Sequence, residues 1–198
     1  MAQGFTGWPS ERSGGRIKSE ADPLDANPPA SMRRALQAIR RLEVMVSTAS
    51  ELAGVVLRYG LFYGPSTSVS HEGEFIEAAR HRKFPIIGGD AGVWSWIHID
   101  DCARATQIAV QSATSSGIYN IVDDEPAEVS VWLPYLAQAL GAKAPLRVPA
   151  WIGRLLVGEP IVLFMTKIRG SSNALAKRVL KWQPQYASCR EGFRSGLE

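Results

Sequence analysis

His98 and Asp100 stand two apart in Trp96-Ile97-His98-Ile99-Asp100, so on an extended segment their side chains point the same way. An imidazole beside a carboxylate is a minimal acid–base pair. No nucleophile motif accompanies it, and no residue is assigned a catalytic role. His71, His81 and His98 match no standard metal-ligand spacing. Cys102 and Cys189 are isolated, so neither a disulfide framework nor a metal cluster is assigned, and a reducing cytoplasm is the expected location. A dinucleotide needs a strand, a Gly-rich turn and a helix N-terminus to meet its pyrophosphate. Only Gly4, Gly7, Gly14 and Gly15 precede Gly54, and they fit no such spacing. What remains is Gly54 to Pro65, GVVLRYGLFYGP, an apolar run that empties into the turn Tyr63-Gly64-Pro65. In open α/β sheets ligands bind at that end of a strand.

These residues need elements to hold them. Val55, Val56 and Leu57 read as a strand buried on both faces, as in a parallel sheet. Before it, Ser31 is the expected N-cap of a helix whose Ala35, Ile39, Leu42 and Val46 make an apolar stripe. Arg33, Arg34, Arg40 and Arg41 on the rest of that helix read as a solvated face rather than a nucleic-acid surface. Residues 5–30, rich in Gly, Pro, Ser and charge, read as a loop.

Downstream, helix is expected over 74–82 and a short strand at Ile86-Ile87, closed by Gly88-Gly89-Asp90. An extended segment follows over 93–99, then a helix capped by Asp100 or Asp101, and a strand over 118–122. Ser130 is the expected cap of the next helix, which carries Pro134 near its first turn and ends at Gly141. Leu146 to Val148 suits a short strand, and 151–168 a buried pair of short helices broken by Gly158-Glu159-Pro160. A last helix spans 172–180, with an irregular tail after it.

The chain has 198 residues, 45% hydrophobic, enough for one domain with a real core. Its 22 basic and 19 acidic residues leave a formal charge of only +3, too small an excess to imply nucleic acid. Gly7, Pro9, Glu11 and Arg12 interrupt the N-terminus, so no signal peptide is expected there. The apolar stretch 161–165 is far below the roughly 20 residues of a membrane span, and no membrane contact is expected.

Four segments together resemble the extended short-chain dehydrogenase/reductase family, the NAD-dependent epimerase/dehydratases. They are Leu57-Arg58 through Tyr63-Gly64-Pro65, Trp96-Ile97-His98-Ile99-Asp100-Asp101 with Ala103-Arg104-Ala105, Gly117-Ile118-Tyr119-Asn120-Ile121, and Leu180-Lys181-Trp182-Gln183-Pro184. Their order and spacing match the C-terminal half of that family. The resemblance implies NAD(P) as cofactor, bound in a Rossmann sheet by the first half, and a small-molecule substrate shaped by the second. The family uses Tyr-x-x-x-Lys on a helix, so that the ammonium lowers the phenol's pKa beside the nicotinamide. None of Tyr59, Tyr63, Tyr119, Tyr135 and Tyr186 has Lys four residues on. Aligning Glu43 with the acidic residue that often follows the motif puts Ala35 and Ile39 in the Tyr and Lys places, where both read as core.

Leu61 stands where nucleotide-sugar members of the family often have Asn, and Trp94 where they often have a phosphate-pairing Arg. The expectation is a pocket tolerant of apolar or aromatic groups. The fold class expected is α/β: the C-terminal part of a Rossmann-like parallel sheet plus a small α/β substrate lobe. Residues 1–30 form the N-terminal loop, 31–66 the Rossmann remnant and 67–198 the lobe, interleaved with the sheet. The resemblance assigns Tyr63, Gly64 and Pro65 to cofactor binding and Leu61, Trp94, Trp96 and His98 to substrate binding. The partner expected is a missing N-terminal half or a second copy of the chain. The function expected is that of a substrate-binding portion, inactive without a cofactor-binding half. The alternative is a non-catalytic ligand-binding or protein-interaction remnant.

Overall fold

Val55, Val56 and Leu57 do form a strand, and it is the middle one of three. The computed structural model describes residues 1–7, 10–49, 53–89, 92–112 and 116–198. In it β1 (Ala2–Phe5), β3 (Val55–Tyr59) and β8 (Gly117–Ile121) lie side by side in that order, all parallel. Val56 sits opposite Ala2 on one side and Ile118 on the other. All five residues of β3 are buried, as expected where helices cover both faces of a sheet.

Alternation splits β3 between two layers. Val55, Leu57 and Tyr59 pack with Cys102, Ala105 and Ala109 of α3 (Ile99–Gln111). Arg58 points to the opposite face, where the carboxylate of Glu43 on α1 (Ala30–Ser47) takes its Nε and Nη2 hydrogen bonds at 2.6 and 2.8 Å. Gly54 approaches the backbone of α1 closely enough to need glycine: a Cβ on it would lie 1.8 Å from the Val46 carbonyl oxygen.

The N-terminal stretch corrects the sequence reading. Residues 1–30 are not simply a loop, because β1 is an edge strand of the main sheet and β2 (Ile17–Lys18) pairs in parallel with β11 (Gly170–Ser171). Ala2-Gln3-Gly4-Phe5 has neither alternation nor a β-branched residue, so its pairing comes from the neighbouring strand rather than local preference. Gly4 suits the close approach, since a Cβ there would stand 3.2 Å from Cγ of Arg58. Further along, Glu20 accepts a 2.7 Å hydrogen bond from the Asn120 amide, covering the far edge of β8. The outer edge of β1 has no strand partner among the described residues.

The rest of the chain builds a lobe around a second core. In it β4 (Leu61–Tyr63) pairs with β7 (Trp96–His98), and β5 (Ile86–Ile87) with β10 (Arg147–Val148), both in parallel. β6 (Val93–Trp94) runs antiparallel to β9 (Ala127–Glu128). Around them lie α2 (Glu74–Arg80), α4 (Val129–Ala139), α5 (Ala150–Thr166) and α7 (Cys189–Ser195), with Trp94, Trp96, Trp132 and Phe193 in the middle. The short α6 (Ala174–Val179) packs against β8 instead.

Several helix details differ from expectation. α1 starts after Pro29, whose φ of −52° already suits a helix entry, so Ser31 caps nothing. Its stripe is also shallower: Leu36 and Glu43 are buried, Ile39, Leu42 and Val46 half-buried, and Ala35 exposed. α3 is capped by neither aspartate but by His98, whose Nδ1 accepts from the Asp100 amide. α4 starts at Val129 after Glu128, so Ser130 is already inside it, and Gly141 follows its end at φ 64°. α5 breaks at Gly158, φ 82°, as expected. The half before the break is not buried, however: Trp151, Leu155 and Leu156 are 63%, 78% and 71% exposed. The tail carries α7, whose Ser188 accepts from the Glu191 amide while Glu191 accepts from the Ala187 amide. Ser188-x-x-Glu191 is a capping-box spacing, a signal that reveals this helix in the sequence. The readings at Pro9 and Asp90 lie outside the described residues.

Candidate functional site

Leaving β3, the chain steps from the main sheet into the lobe within one residue. The Gly60 amide donates to Ile121 O at 3.0 Å, and the next amide, of Leu61, donates to Ser95 O at 2.8 Å. A Cβ on Gly60 would lie 2.8 Å from that Ser95 oxygen, so the crossing requires glycine. β4 then runs beside β7 with Leu61 opposite Trp96 and Tyr63 opposite His98. One strand connection thus sets an apolar wall directly beyond the carboxyl end of the sheet.

That wall belongs to a cavity of about 360 Å³. Leu61, Trp94 and Trp96, three of the expected substrate residues, all line it. Phe75, Phe84 and Phe164 line it too, and they were not singled out in the sequence because isolated phenylalanines read as ordinary core. The rings hold each other: Trp94 lies 4.7 Å from Phe164 in an edge-on contact and 4.8 Å from Trp132, and Phe75 lies 4.5 Å from Phe84. The Trp94 indole N–H donates to Phe164 O at 3.0 Å, locking that ring to α5. Among the described residues no lining side chain carries a charge, and Ser68 is the one with a hydroxyl.

His98 is not brought to this cavity. It is 2% exposed, its Nε2 lies 2.8 Å from Gly196 O, and its ring stacks 4.2 Å from Tyr186. Because Nδ1 accepts the Asp100 amide, Nε2 carries the proton and donates to Gly196. The ring is a helix cap and core spacer. Asp100 is largely exposed and 3.7 Å away.

The turn residues pack inward as well. Tyr63 is fully buried between Trp96, His98, Tyr186 and Phe193. Gly64 has φ 113°, and a Cβ on it would stand 2.7 Å from His98 Nε2. Pro65 is half-buried. At this turn the side chain expected to meet cofactor, that of Tyr63, closes the core instead.

Tyr59, Tyr63 and Tyr119 are displaced away from proton transfer near neutral pH. Tyr59 shares a 2.6 Å hydrogen bond with Thr106, and burial pushes its phenol up to about 12. Burial holds Tyr63 far above the usual tyrosine range, and Tyr119 is raised for the same reason. A neighbouring ammonium would lower these phenols. Ala35 and Ile39, in the expected Tyr and Lys places, present an exposed methyl and a half-buried aliphatic chain.

Comparison with known proteins places this architecture. The sequence model of the NAD dependent epimerase/dehydratase family matches residues 14–122, more than half of the chain. A Streptomyces protein described as a 3-diazoavenalumate denitrifying reductase is 39% identical over 158 residues, 80% of this chain. The chain spans about half the length of that relative, 51%. A human epimerase family protein solved with NADPH superposes with a TM-score of 0.74 at 16% identity, over 99% of this chain and 63% of its own. A UDP-glucose 4-epimerase from Thermus thermophilus solved with NAD gives 0.65 at 22% identity, over 99% of this chain and 61% of its own. With its parallel β1–β3–β8 sheet, its Gly60 crossing and the matching 14–122 segment, the chain belongs to the NAD-dependent epimerase/dehydratase family.

Proposed function

We propose that this chain is the substrate-binding and sheet-completing portion of an NAD(P)-dependent oxidoreductase, whose coenzyme phosphates are held by a segment outside it. The observation that carries this reading is the aromatic cavity lying one residue beyond the carboxyl end of β3. The relative described as a denitrifying reductase supports reduction rather than epimerisation.

The residues present do not fit a whole dinucleotide. In chain order β1 is followed by β2, β3 by Gly60 and β4, and β8 by β9. None runs through a glycine turn into a helix, which is what would aim backbone amides at a pyrophosphate. This chain's part is to seat the substrate: Leu61, Trp94 and Phe164 exclude water from its apolar end and fix its position relative to the sheet.

A second reading, a ligand-binding protein without catalysis, is favoured by one observation: no phenol is paired with an ammonium on α1, and the buried phenols are raised.

The test joins this chain to a cofactor-binding half of the family and follows NAD(P)H oxidation with diazo- and carbonyl-bearing substrates. The oxidoreductase reading expects turnover, with Leu61→Ala raising KM for substrate and leaving KM for NAD(P)H unchanged. Coenzyme binding with no turnover supports the second reading. Equal effects of Leu61→Ala on both KM values contradict the assignment of the wall.

A further inference from the structure

We propose that the group seated in the cavity beyond β3 is a neutral, planar aromatic ring. This rests on the substrate-binding reading and narrows it to a substrate class. Three observations carry it. The lining rings Phe75, Phe84, Trp94 and Phe164 contact one another through edges and tilted faces rather than flat stacks, so they offer both faces and edges to a guest ring. Edge-to-face and offset contacts of that kind are the favourable ones for aromatic quadrupoles.

The second observation is charge. No lining residue among those described is ionisable, and an anion placed there would lose its hydration with nothing in return from them. A carboxylate or phosphate on the same molecule must therefore stay outside the cavity. The third is size. About 360 Å³ lies toward the small end of ligand pockets, enough for a fused two-ring aryl group with a short substituent. Ser68, exposed at the mouth, is the hydroxyl that a polar substituent meets on the way out.

The experiment titrates the 198-residue chain, with no coenzyme present, against three probes of similar shape: 2-acetylnaphthalene, its saturated decalin counterpart and 2-naphthoate. The naphthyl ketone is expected to bind about five-fold tighter than the saturated ketone, the scale of one or two ring–ring contacts. It is expected to bind at least about ten-fold tighter than the naphthoate, because of the anion's desolvation. Phe164→Leu keeps an apolar side chain and the backbone carbonyl that holds Trp94. It should shrink the aromatic preference and leave the saturated ketone within about two-fold, as expected when the apolar contact survives and only the ring–ring contact is lost.

Equal affinity for all three probes, no binding of the naphthyl ketone by folded chain, or an aromatic preference untouched by Phe164→Leu would each overturn the proposal. Because no coenzyme takes part, these outcomes are independent of whether the joined protein oxidises NAD(P)H. A failure here is thereby separable from a failure of the oxidoreductase reading.

Discussion

Glu43 on α1 and Arg58 on β3 form a two-pronged ion pair at 2.6 and 2.8 Å, with each residue only 5% exposed. The pair sets the rotation of α1 against the sheet. It turns Glu43 inward and leaves Ala35, two turns earlier, facing out. The helix is thus docked here by charge, while Ala35 presents a bare methyl outward.

Breaking that pair from one side should be costly. Glu43→Ala leaves a buried guanidinium without its counter-charge and is expected to destabilise the chain by about 3–5 kcal/mol. The double replacement Glu43→Leu with Arg58→Met should recover much of the loss, since two apolar groups leave no orphan charge. Urea unfolding of the two variants checks this. A double variant less stable than Glu43→Ala would show that the pair itself, rather than the orphaned charge, carries the stability.

Tyr63 offers a test of role as well as of packing. Its hydroxyl is buried with no hydrogen-bond partner among the described residues, so Tyr63→Phe is expected to be neutral or stabilising by up to about 1 kcal/mol. It should leave coenzyme-dependent turnover of a joined protein unchanged. The neighbouring Gly192 is different: a Cβ there would stand 2.1 Å from the Tyr63 ring, and Gly192→Ala is expected to cost about 1–3 kcal/mol. A large loss of turnover in a stable Tyr63→Phe variant would return this phenol to the chemistry.

Asp123 gives the stability a pH dependence. It is 1% exposed, and no side chain among the described residues hydrogen-bonds its carboxyl oxygens. Burial raises its pKa well above the ordinary aspartate value, only partly offset by the nearby amides of Glu125 and Cys189. The folded chain therefore keeps a proton that the unfolded chain releases near pH 4, and stability falls as pH rises from there toward the folded value. Asp123→Asn removes that cost. Its melting temperature relative to the parent should climb between acid and neutral pH, with the two proteins closest in acid. A difference that stays flat with pH would mean the carboxyl does not hold its proton.

Much of this architecture is legible in the residues. The run Val55-Val56-Leu57 announces a strand buried on both faces, and Leu61 and Trp96 meet at one cavity because β4 and β7 pair in register, with Trp94 of β6 beside them. β1 is not legible, since Ala2-Gln3-Gly4-Phe5 becomes a strand only by lying against β3. His98 misleads for a related reason. Its two-residue spacing from Asp100 suggests paired side chains, but the helix starts at Ile99, and the ring turns to cap it. Phe75, Phe84 and Phe164 come from three separate segments, and only the tertiary fold shows that they face one space.

The most direct test of the account is a calorimetric titration of NADH and NADPH into the 198-residue chain. Seating the substrate here while the coenzyme's phosphates are gripped elsewhere predicts no saturable binding below about 1 mM, a ceiling of some 4 kcal/mol of affinity. Saturation at micromolar coenzyme would place a complete dinucleotide site within these residues and contradict the account.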